Sequence, residues 1–227
     1  VQVNGINIFF TRTGGEKPVL IMNHGATDNG MCWKPVAEKL RSRYDVILPD
    51  ARGHGRSGSG KGEYGVNSRA QDLIAMIKGL QLDRPILMGH SMGALTLWES
   101  LRLYGDSRIA AVCIVDQSPK LVTDDDWQLG IYGDYPLERN ARMRREFVRD
   151  LGEGVILLST EGLNLPYNER FHADPQSFFR HKRRFSAAQA QGLVNIWDSL
   201  VEADYRDVLP QIRVPALLVY GGESQYY

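Results

Sequence analysis

Five short apolar runs, rich in β-branched and aliphatic residues, constrain the fold of this chain more than any other feature. The runs are PVLIMNHG (18–25), YDVILPD (44–50), PILMGHS (85–91), AAVCIVDQSP (110–119) and VPALLVYGG (214–222). Their hydrophobicity is nearly continuous instead of alternating, which is typical of parallel strands covered by helices on both faces. Because helical patterns lie between the runs, we predict an α/β fold with a mostly parallel central sheet and right-handed crossovers.

Residues at the ends of the intervening segments indicate where helices begin and stop. The segment 68–80 has apolar residues on one stripe, and Ser68 is its expected N-cap. The segment 93–105 ends at Gly105, a residue type that commonly terminates helices. The N-terminal residues VQVNGINIFFTRTG instead alternate around an Asn-Gly pair, which predicts an antiparallel hairpin on the sheet edge.

Residues 120–190 interrupt the alternation of strands and helices with acidic, Arg-rich and aromatic segments. A long insertion between two strands of such a sheet is usually a functional lid. The chain has 227 residues, a length that supports one domain with an insertion. We therefore predict a core at 1–119, a helical cap or lid at 120–190, and a continuation of the core at 191–227.

The charge balance and the cysteines exclude several classes of partner. Lys plus Arg and Asp plus Glu each total 27, so no net field attracts nucleic acid or an anionic membrane. No stretch approaches the ~20 apolar residues of a membrane span. Cys32 and Cys113 lie in apolar surroundings without CxxC spacing, which predicts buried free thiols and no metal site. We expect a cytoplasmic protein that acts on a small molecule without cofactor or metal, and the oligomeric state stays open.

The sequence GHSMG at residues 89–93 fits the pattern G-x-S-x-G between a predicted strand and a predicted helix. In such a turn the serine adopts a strained backbone, and the flanking glycines leave room for neighbouring elements. The hydroxyl then lies at the start of a helix, where the helix dipole favours developing negative charge. Ser91 is therefore the candidate nucleophile.

Two further motifs occur in the order expected for one family, NHGATDNGMCW (23–33) and LPDARGHGRSG (48–58). With these motifs and GHSMG, essentially the whole chain resembles the serine hydrolases of the α/β-hydrolase fold. The resemblance implies that fold, with a helical cap. It also implies an oxyanion hole formed by the backbone N–H groups of Ala26 and Met92.

The five histidines of the chain leave the catalytic base unassigned. Three lie in the motifs and by the resemblance have structural roles: His24, His54 and His90. Two lie in the predicted lid: His172 and His181. In the family the base comes from a loop after a final strand. We therefore expect the base histidine beyond Tyr227 and a chain that lacks its C-terminal segment.

Two positions are candidates for the catalytic acid. Most relatives place Asp three residues after the glycine that corresponds to Gly221, where this chain has Ser224 with Glu223 beside it. Asp116 directly follows the fourth apolar run and is expected at the carboxyl edge of the sheet, where open α/β sheets bind ligands. A simple turn residue is the alternative role for Asp116. We prefer Asp116 as the acid and keep Glu223 as the alternative.

The serine nucleophile restricts the chemistry. Dehalogenases and epoxide hydrolases of this fold need a carboxylate nucleophile, so acyl transfer to Ser91 remains. Met31, Trp33 and Trp127 are candidates to line an apolar or aromatic cavity. We predict a hydrolase of carboxylic esters of small to medium apolar or aromatic molecules. A lactonase, a carbon–carbon bond hydrolase and a non-catalytic ligand-binding member of the fold are the alternatives.

Overall fold

The five apolar runs form strands of one sheet in the computed structural model, which describes residues 1–60, 64–160, 165–180, 182–222 and 224. This arrangement confirms the predicted α/β fold with a mostly parallel sheet. The described strands are β1 (Gln2–Val3), β2 (Ile6–Asn7), β3 (Phe10–Arg12), β4 (Val19–Asn23), β5 (Asp45–Pro49), β6 (Ile86–His90), β7 (Ala111–Val115) and β8 (Ala216–Val219).

The main sheet has the strand order β3-β5-β4-β6-β7-β8. Only β3 runs antiparallel to its neighbour within the described sheet, and the other pairings are parallel. The chain passes from β4 to β5 on one side and then returns to β6 on the other side of β4. Such a reversal opens a crevice at the carboxyl ends of β4 and β6, where open α/β sheets bind ligands.

Burial on both faces explains why the strands lack alternation. Ile21 and Met22 are consecutive residues of β4, and both have 0% exposure. Because consecutive side chains of a strand lie on opposite faces, both faces of the sheet are covered here. The strand β8 differs, since Leu217 and Leu218 are 59% and 57% exposed.

The described helices are α1 (Lys34–Leu40), α2 (Val66–Gly79), α3 (Met92–Tyr104), α4 (Leu137–Arg149), α5 (Leu151–Thr160), α6 (Leu165–Ala173), α7 (Pro175–Arg180) and α8 (Ala187–Glu202). As predicted, α3 is followed by Gly105, which has a φ of 65°. The helix α2 begins at Val66, before the expected N-cap Ser68, which lies inside the helix. Its first N–H donates to Ser199 Oγ of α8 at 2.9 Å. A cap supplied by another helix leaves no local pattern in the sequence.

The N-terminal hairpin is confirmed, but its predicted place is wrong. Strands β1 and β2 pair around Asn4 and Gly5, whose φ values of 44° and 76° fit a tight hairpin turn. The two strands form a separate sheet, and β3 occupies the edge of the main sheet instead. The side chain of Asn4 donates to Asp72 Oδ1 of α2 at 2.8 Å, which ties the hairpin to that helix.

Helices α4 to α7 lie within the segment for which a lid is predicted. A two-point ion pair joins α4 to α8, with Arg144 Nε 2.8 Å from Asp198 Oδ1 and Arg144 Nη2 2.9 Å from Asp198 Oδ2. Two contacts in this fork geometry fix the orientation of the guanidinium as well as its distance. The contact anchors the predicted lid to the following helix. The division at 1–119, 120–190 and 191–227 stays a prediction.

The two cysteines differ in exposure. Cys113 is buried in β7 as predicted, whereas Cys32 is exposed, so the expectation of two buried thiols is wrong. Cys32 lies in a 3₁₀ turn, Gly30–Trp33, whose only buried residue is Gly30. Within the described residues, no helix is both long and apolar enough to cross a membrane.

Candidate active site

Ser91 lies in a sharp turn between β6 and α3, with φ of 53° and ψ of −121°. Close backbone packing makes glycine necessary on both sides of it. A Cβ on Gly89 would lie 2.6 Å from the carbonyl carbon of Gly93, and a Cβ on Gly93 would lie 2.4 Å from the carbonyl oxygen of Asn23. The turn therefore holds the serine at the carboxyl edge of the sheet, in a strained conformation typical of functional residues.

The loop after β4 lies directly beside this turn. Strands β4 and β6 pair with Asn23 opposite Gly89, so the segments that follow the two strands leave the sheet at the same level. A Cβ on Gly25 would lie 3.4 Å from Ser91 Cβ and 3.0 Å from His90 Nδ1. A side chain at Gly25 would press against the His90 ring, and the backbone of the loop lies close to the serine.

The two predicted oxyanion donors, Ala26 and Met92, flank Ser91. Ala26 lines the same cavity as Ser91. Met92 is the first residue of α3, and the first N–H groups of a helix have no partner within that helix. Its side chain is buried and accepts a hydrogen bond from the Arg69 guanidinium. The two N–H groups therefore belong to segments that adjoin Ser91.

The sheet register makes Asp116 a neighbour of Ser91. Strands β6 and β7 pair with His90 opposite Val115, so Ser91 and Asp116 are the next residues of the two adjacent strands. Neighbouring strands lie about 4.8 Å apart. Asp116 also has a positive φ of 52°. Two residues with positive φ therefore lie side by side at the carboxyl edge of the sheet, where open α/β sheets bind ligands.

Hydrogen bonds from the segment after β8 hold the Asp116 carboxylate at both of its oxygens. Ser224 Oγ donates to Oδ2 at 2.6 Å, and the Gly221 N–H donates to Oδ1 at 3.3 Å. Position 224 is where the resemblance predicts the acid, so Asp116 contacts the residue at that position. Glu223, the alternative acid, lies outside the described residues.

His90 is the histidine that lines this cavity among the described residues. Burial lowers the pKa of His90 below its ordinary value, although the carboxylates of Asp116 and Asp28 act in the opposite direction. The imidazole is therefore neutral at neutral pH. Of the two lid histidines, His172 lies in α6 and not in the cavity lining, and His181 lies outside the described residues.

His24 connects the loop after β4 to the loop after β5. Its Nε2 accepts the N–H of Ala51 at 2.9 Å, so the proton is on Nδ1, which donates to the Gly25 carbonyl at 2.8 Å. Burial is the main cause that lowers the pKa of His24 to about 4. His54 contacts a carbonyl in a similar way, with Nδ1 3.0 Å from the oxygen of Arg52, and burial lowers its pKa as well. Both rings are neutral structural groups.

The low pKa of His24 predicts a loss of stability in mild acid. The unfolded chain takes up this proton near pH 6.5 and the folded chain near pH 4, so between these values the unfolded state binds more protons. Lowering the pH from 7.5 to 5 is expected to reduce the free energy of unfolding by about 2 kcal/mol through His24 alone. Urea unfolding of the protein and of His24→Gln at both pH values measures this difference.

The matched control for loss of an imidazole is His172→Gln, at an exposed position of α6. The His24→Gln variant is expected to show a smaller change in unfolding free energy between the two pH values than the unmodified protein. Equal changes in the two proteins would contradict the role of His24.

A cavity of about 220 Å³ opens at Ser91. The core contributes Gly25, Ala26, Thr27, His90, Ser91 and Gln117 to its wall. Helices α4, α5 and α8 contribute Phe147, Leu151, Val155, Leu158, Trp197 and Leu200. The described lining carries no Asp, Glu, Lys or Arg side chain, so the cavity favours an uncharged group. Among the described residues, no group of His, Cys, Asp or Glu is arranged to hold a metal ion.

Contacts with α4 fix the position of Trp197 in this wall. Its indole Nε1 donates to Asn140 Oδ1 at 2.8 Å. The ring of Phe147 meets the indole edge to face, with ring centroids 5.2 Å apart. A tryptophan held by a buried amide and a second aromatic ring gives the cavity a wall of defined shape.

The three residues predicted to line the substrate cavity lie elsewhere. Met31 is 46% exposed and lines a separate surface groove. The preceding Gly30 packs against the backbone of β5. Trp33 packs with the side chains of β4 and β5 and lies edge to face behind His90, with ring centroids 6.4 Å apart. Trp127 donates to the Lys120 carbonyl at 3.1 Å, and the guanidinium of Arg206 lies over its ring.

The actual lining residues have weak signatures in the sequence. Trp197 follows Leu193 and precedes Leu200 at helical spacing, which predicts an apolar face but not what that face covers. Gln117 has no pattern of its own beyond its position after Asp116. Ser224 could be identified only as a departure from the family pattern. Trp197 and Ser224 are positioned by contacts with distant segments.

Comparison with known proteins shows the family of this chain. A family model described as the alpha/beta hydrolase family matches residues 19–226. N-formylmaleamate deformylase from Pseudomonas putida is 30% identical over 228 residues, covering 99% of this chain and 78% of its own length. 3-Oxoadipate enol-lactonase 2 from Acinetobacter baylyi is 25% identical over 210 residues, covering 92% of this chain and 72% of its own length. An esterase structure from Exiguobacterium antarcticum, 21% identical, matches with a TM-score of 0.78 over 99% and 80% of the two chains, which shows the fold alone.

Proposed function

Because the chain belongs to the alpha/beta hydrolase family, we propose that it hydrolyses uncharged carboxylic esters through an acyl-enzyme on Ser91. One observation carries the proposal: a serine in a strained turn lies at the wall of an apolar cavity, beside the loop that carries Ala26. A serine in this setting is suited to nucleophilic attack on a carbonyl group.

The proposed cycle uses groups that adjoin Ser91. The hydroxyl attacks the ester carbonyl, and the N–H groups of Ala26 and Met92 stabilise the resulting oxyanion, each typically contributing about 10²–10³ in rate. Collapse of this intermediate releases the alcohol and leaves an acyl-enzyme that water hydrolyses. A histidine takes the proton from Ser91 and gives it to the leaving alcohol, then takes a proton from the attacking water and returns it to Ser91, and Asp116 orients this histidine. We assign the histidine to no described residue.

The size and charge of the cavity define the substrate class. A cavity of about 150 Å³ can hold a benzene molecule, so the cavity of about 220 Å³ suits a short acyl chain or a single ring. A carboxylate within it would lose its hydration without a cationic partner from the described lining. We therefore expect neutral esters to be hydrolysed in preference to esters of dicarboxylic acids.

Lactone hydrolysis is the second candidate function. A lactone is a cyclic ester, so its ring opens by the same attack on the carbonyl group. The similarity to 3-oxoadipate enol-lactonase 2, 25% identical over 210 residues, favours this candidate among the other uses of the site. The alcohol formed by ring opening stays attached to the acyl group, so a lactonase needs no separate path for a leaving alcohol.

A labelling experiment combined with a substrate panel tests the proposed function. The full-length protein is treated with a fluorophosphonate, which is expected to modify Ser91 covalently with one equivalent bound. The panel compares 4-nitrophenyl butanoate, 4-nitrophenyl benzoate, the half ester of a dicarboxylic acid, γ-butyrolactone and a β-diketone. We expect the neutral aryl esters to give the highest kcat/KM.

The other outcomes of the panel point to different functions. Highest turnover of the lactone would make the second candidate the function. Cleavage of the diketone but not of the esters would indicate a carbon–carbon bond hydrolase. Absence of both labelling and turnover would contradict a hydrolase and favour a ligand-binding member of the fold.

A further inference from the structure

Gln117 places a carboxamide in the wall of the cavity at Ser91. The residue follows Asp116 directly, lines the cavity and is 2% exposed. Its Nε2 donates to the carbonyl oxygen of Ser118 at 3.1 Å, which fixes which end of the amide is the nitrogen. Within the described part of the chain, no hydrogen bond to the amide oxygen Oε1 is seen, and this oxygen is not among the fully buried atoms that lack a partner, so it keeps access to water.

The cavity that Gln117 lines is predominantly apolar. Phe147, Leu151, Leu158 and Trp197 from the helices line the same cavity as Gln117. An amide group that loses water without gaining a hydrogen bond is costly to bury. A pure hydrocarbon group that filled this cavity would displace water and leave Oε1 unpaired. A ligand that donates one hydrogen bond avoids this cost.

We propose that Gln117 determines specificity by accepting a hydrogen bond from a hydroxyl group of the substrate. This inference rests on the proposed ester hydrolysis at Ser91. The described lining has no carboxylate that would balance an ammonium group, so the donor is neutral. The substrate class is therefore a small neutral ester that carries a hydroxyl group in addition to its ester bond.

A series of esters tests the inference on the unmodified full-length protein. Methyl 2-, 3- and 4-hydroxybutanoate are each compared with methyl butanoate and with the corresponding methoxy ester. For the alcohol half, 3-hydroxypropyl butanoate is compared with butyl butanoate and 3-methoxypropyl butanoate. A pH-stat follows acid release. The methoxy group resembles the hydroxyl group but cannot donate a hydrogen bond.

At least one hydroxy ester is expected to exceed both of its partners about tenfold in kcat/KM, the factor that one lost hydrogen bond at a buried group typically produces. Equal values for every hydroxy ester and its partners would overturn the inference. So would a methoxy ester that matches the most rapidly hydrolysed hydroxy ester, because an ether has no hydrogen to donate to Oε1.

The variant Gln117→Met keeps the length of the side chain and removes the amide. In this variant the ratio of kcat/KM for the hydroxy ester to kcat/KM for its methoxy partner is expected to fall towards one. The matched control is Gln211→Met, because Gln211 is exposed and its amide donates to the Asp207 carbonyl at 2.7 Å. Persistence of the preference in Gln117→Met would overturn the inference. If Gln117→Met does not fold, the ester series on the unmodified protein still tests whether a hydroxyl group on the substrate increases kcat/KM.

The experiments give different results if the proposed function is wrong and if only this inference is wrong. If Gln117 has no role in specificity, Ser91 still reacts with a fluorophosphonate and the simple esters are still hydrolysed. If the protein is not an ester hydrolase, labelling and the turnover of all esters are absent together, and the inference about Gln117 falls with it.

Discussion

Replacing Ser91 with alanine in the full-length protein is expected to lower kcat/KM for 4-nitrophenyl butanoate by about 10⁶-fold, the loss typical of a removed serine nucleophile. The variant keeps the apolar cavity and the adjoining N–H groups of Ala26 and Met92, so substrate can still bind. Without the hydroxyl no acyl-enzyme can form. Steady-state release of 4-nitrophenol measures the loss, and intact-protein mass spectrometry after fluorophosphonate treatment is expected to show no adduct.

A serine in the helix that follows the nucleophile provides the control. Ser100 is buried in α3, where its hydroxyl donates to the Thr96 carbonyl at 2.8 Å. The Ser100→Ala variant is expected to keep the labelling and most of the activity. Retention of more than a small fraction of the rate in Ser91→Ala would show that the ester is cleaved elsewhere.

Replacing Asp116 with asparagine is expected to lower kcat by about 10⁴-fold, as loss of the carboxylate does in other serine hydrolases. Asparagine has the same shape but lacks the charge that stabilises an imidazolium ion. The contacts from Ser224 and Gly221 hold the carboxylate beside the turn that carries Ser91, which is the geometric reason for choosing Asp116. Turnover of 4-nitrophenyl butanoate measures the effect.

A carboxylate at a second position allows a test of whether the lost activity can be restored. Ser224 Oγ lies 2.6 Å from Asp116 Oδ2, so an aspartate at position 224 would bring a carboxylate to nearly the same place. The double variant Asp116→Asn/Ser224→Asp is expected to have a kcat at least tenfold higher than that of Asp116→Asn. Asp124→Asn is the control, because Asp124 is an exposed carboxylate on the same connection that pairs with Lys120.

Rates near those of the unmodified protein in Asp116→Asn would contradict the assignment of the acid. The variant Glu223→Gln then becomes informative, since Glu223 is the other carboxylate near the end of the fifth apolar run. A large loss in Glu223→Gln together with normal rates in Asp116→Asn would transfer the role to Glu223.

The fold could be predicted from the sequence where the pattern is local. Continuous apolar runs such as 44–50 predict buried parallel strands, and Gly105 ends a helix at the predicted place because glycine adopts a positive φ easily. Predictions failed where a distant segment decides the outcome. The start of α2 depends on Ser199 of another helix, and the hairpin is tied to Asp72 instead of the sheet edge.

The candidate site also has features that a local pattern predicts and features that depend on distant segments. The motif around Ser91 is recognisable because a strained turn between a strand and a helix requires glycine at Gly89 and Gly93, and this requirement is local. The lining of the cavity depends on how three helices pack over the sheet edge. An aromatic residue in the sequence shows only that it prefers burial, so Trp33 and Trp127 looked as suitable as Trp197.

The sequence by itself therefore determined the sheet, the turn that carries Ser91 and the loop beside it, because periodicity and glycine positions encode backbone geometry over a few residues. Only the tertiary structure decided which side chains surround Ser91. It brought Gln117 and Trp197 into one cavity and joined Ser224 to the Asp116 carboxylate. Such contacts join residues about 80 to 110 positions apart, and no local pattern records a distance between segments that meet only in the folded chain.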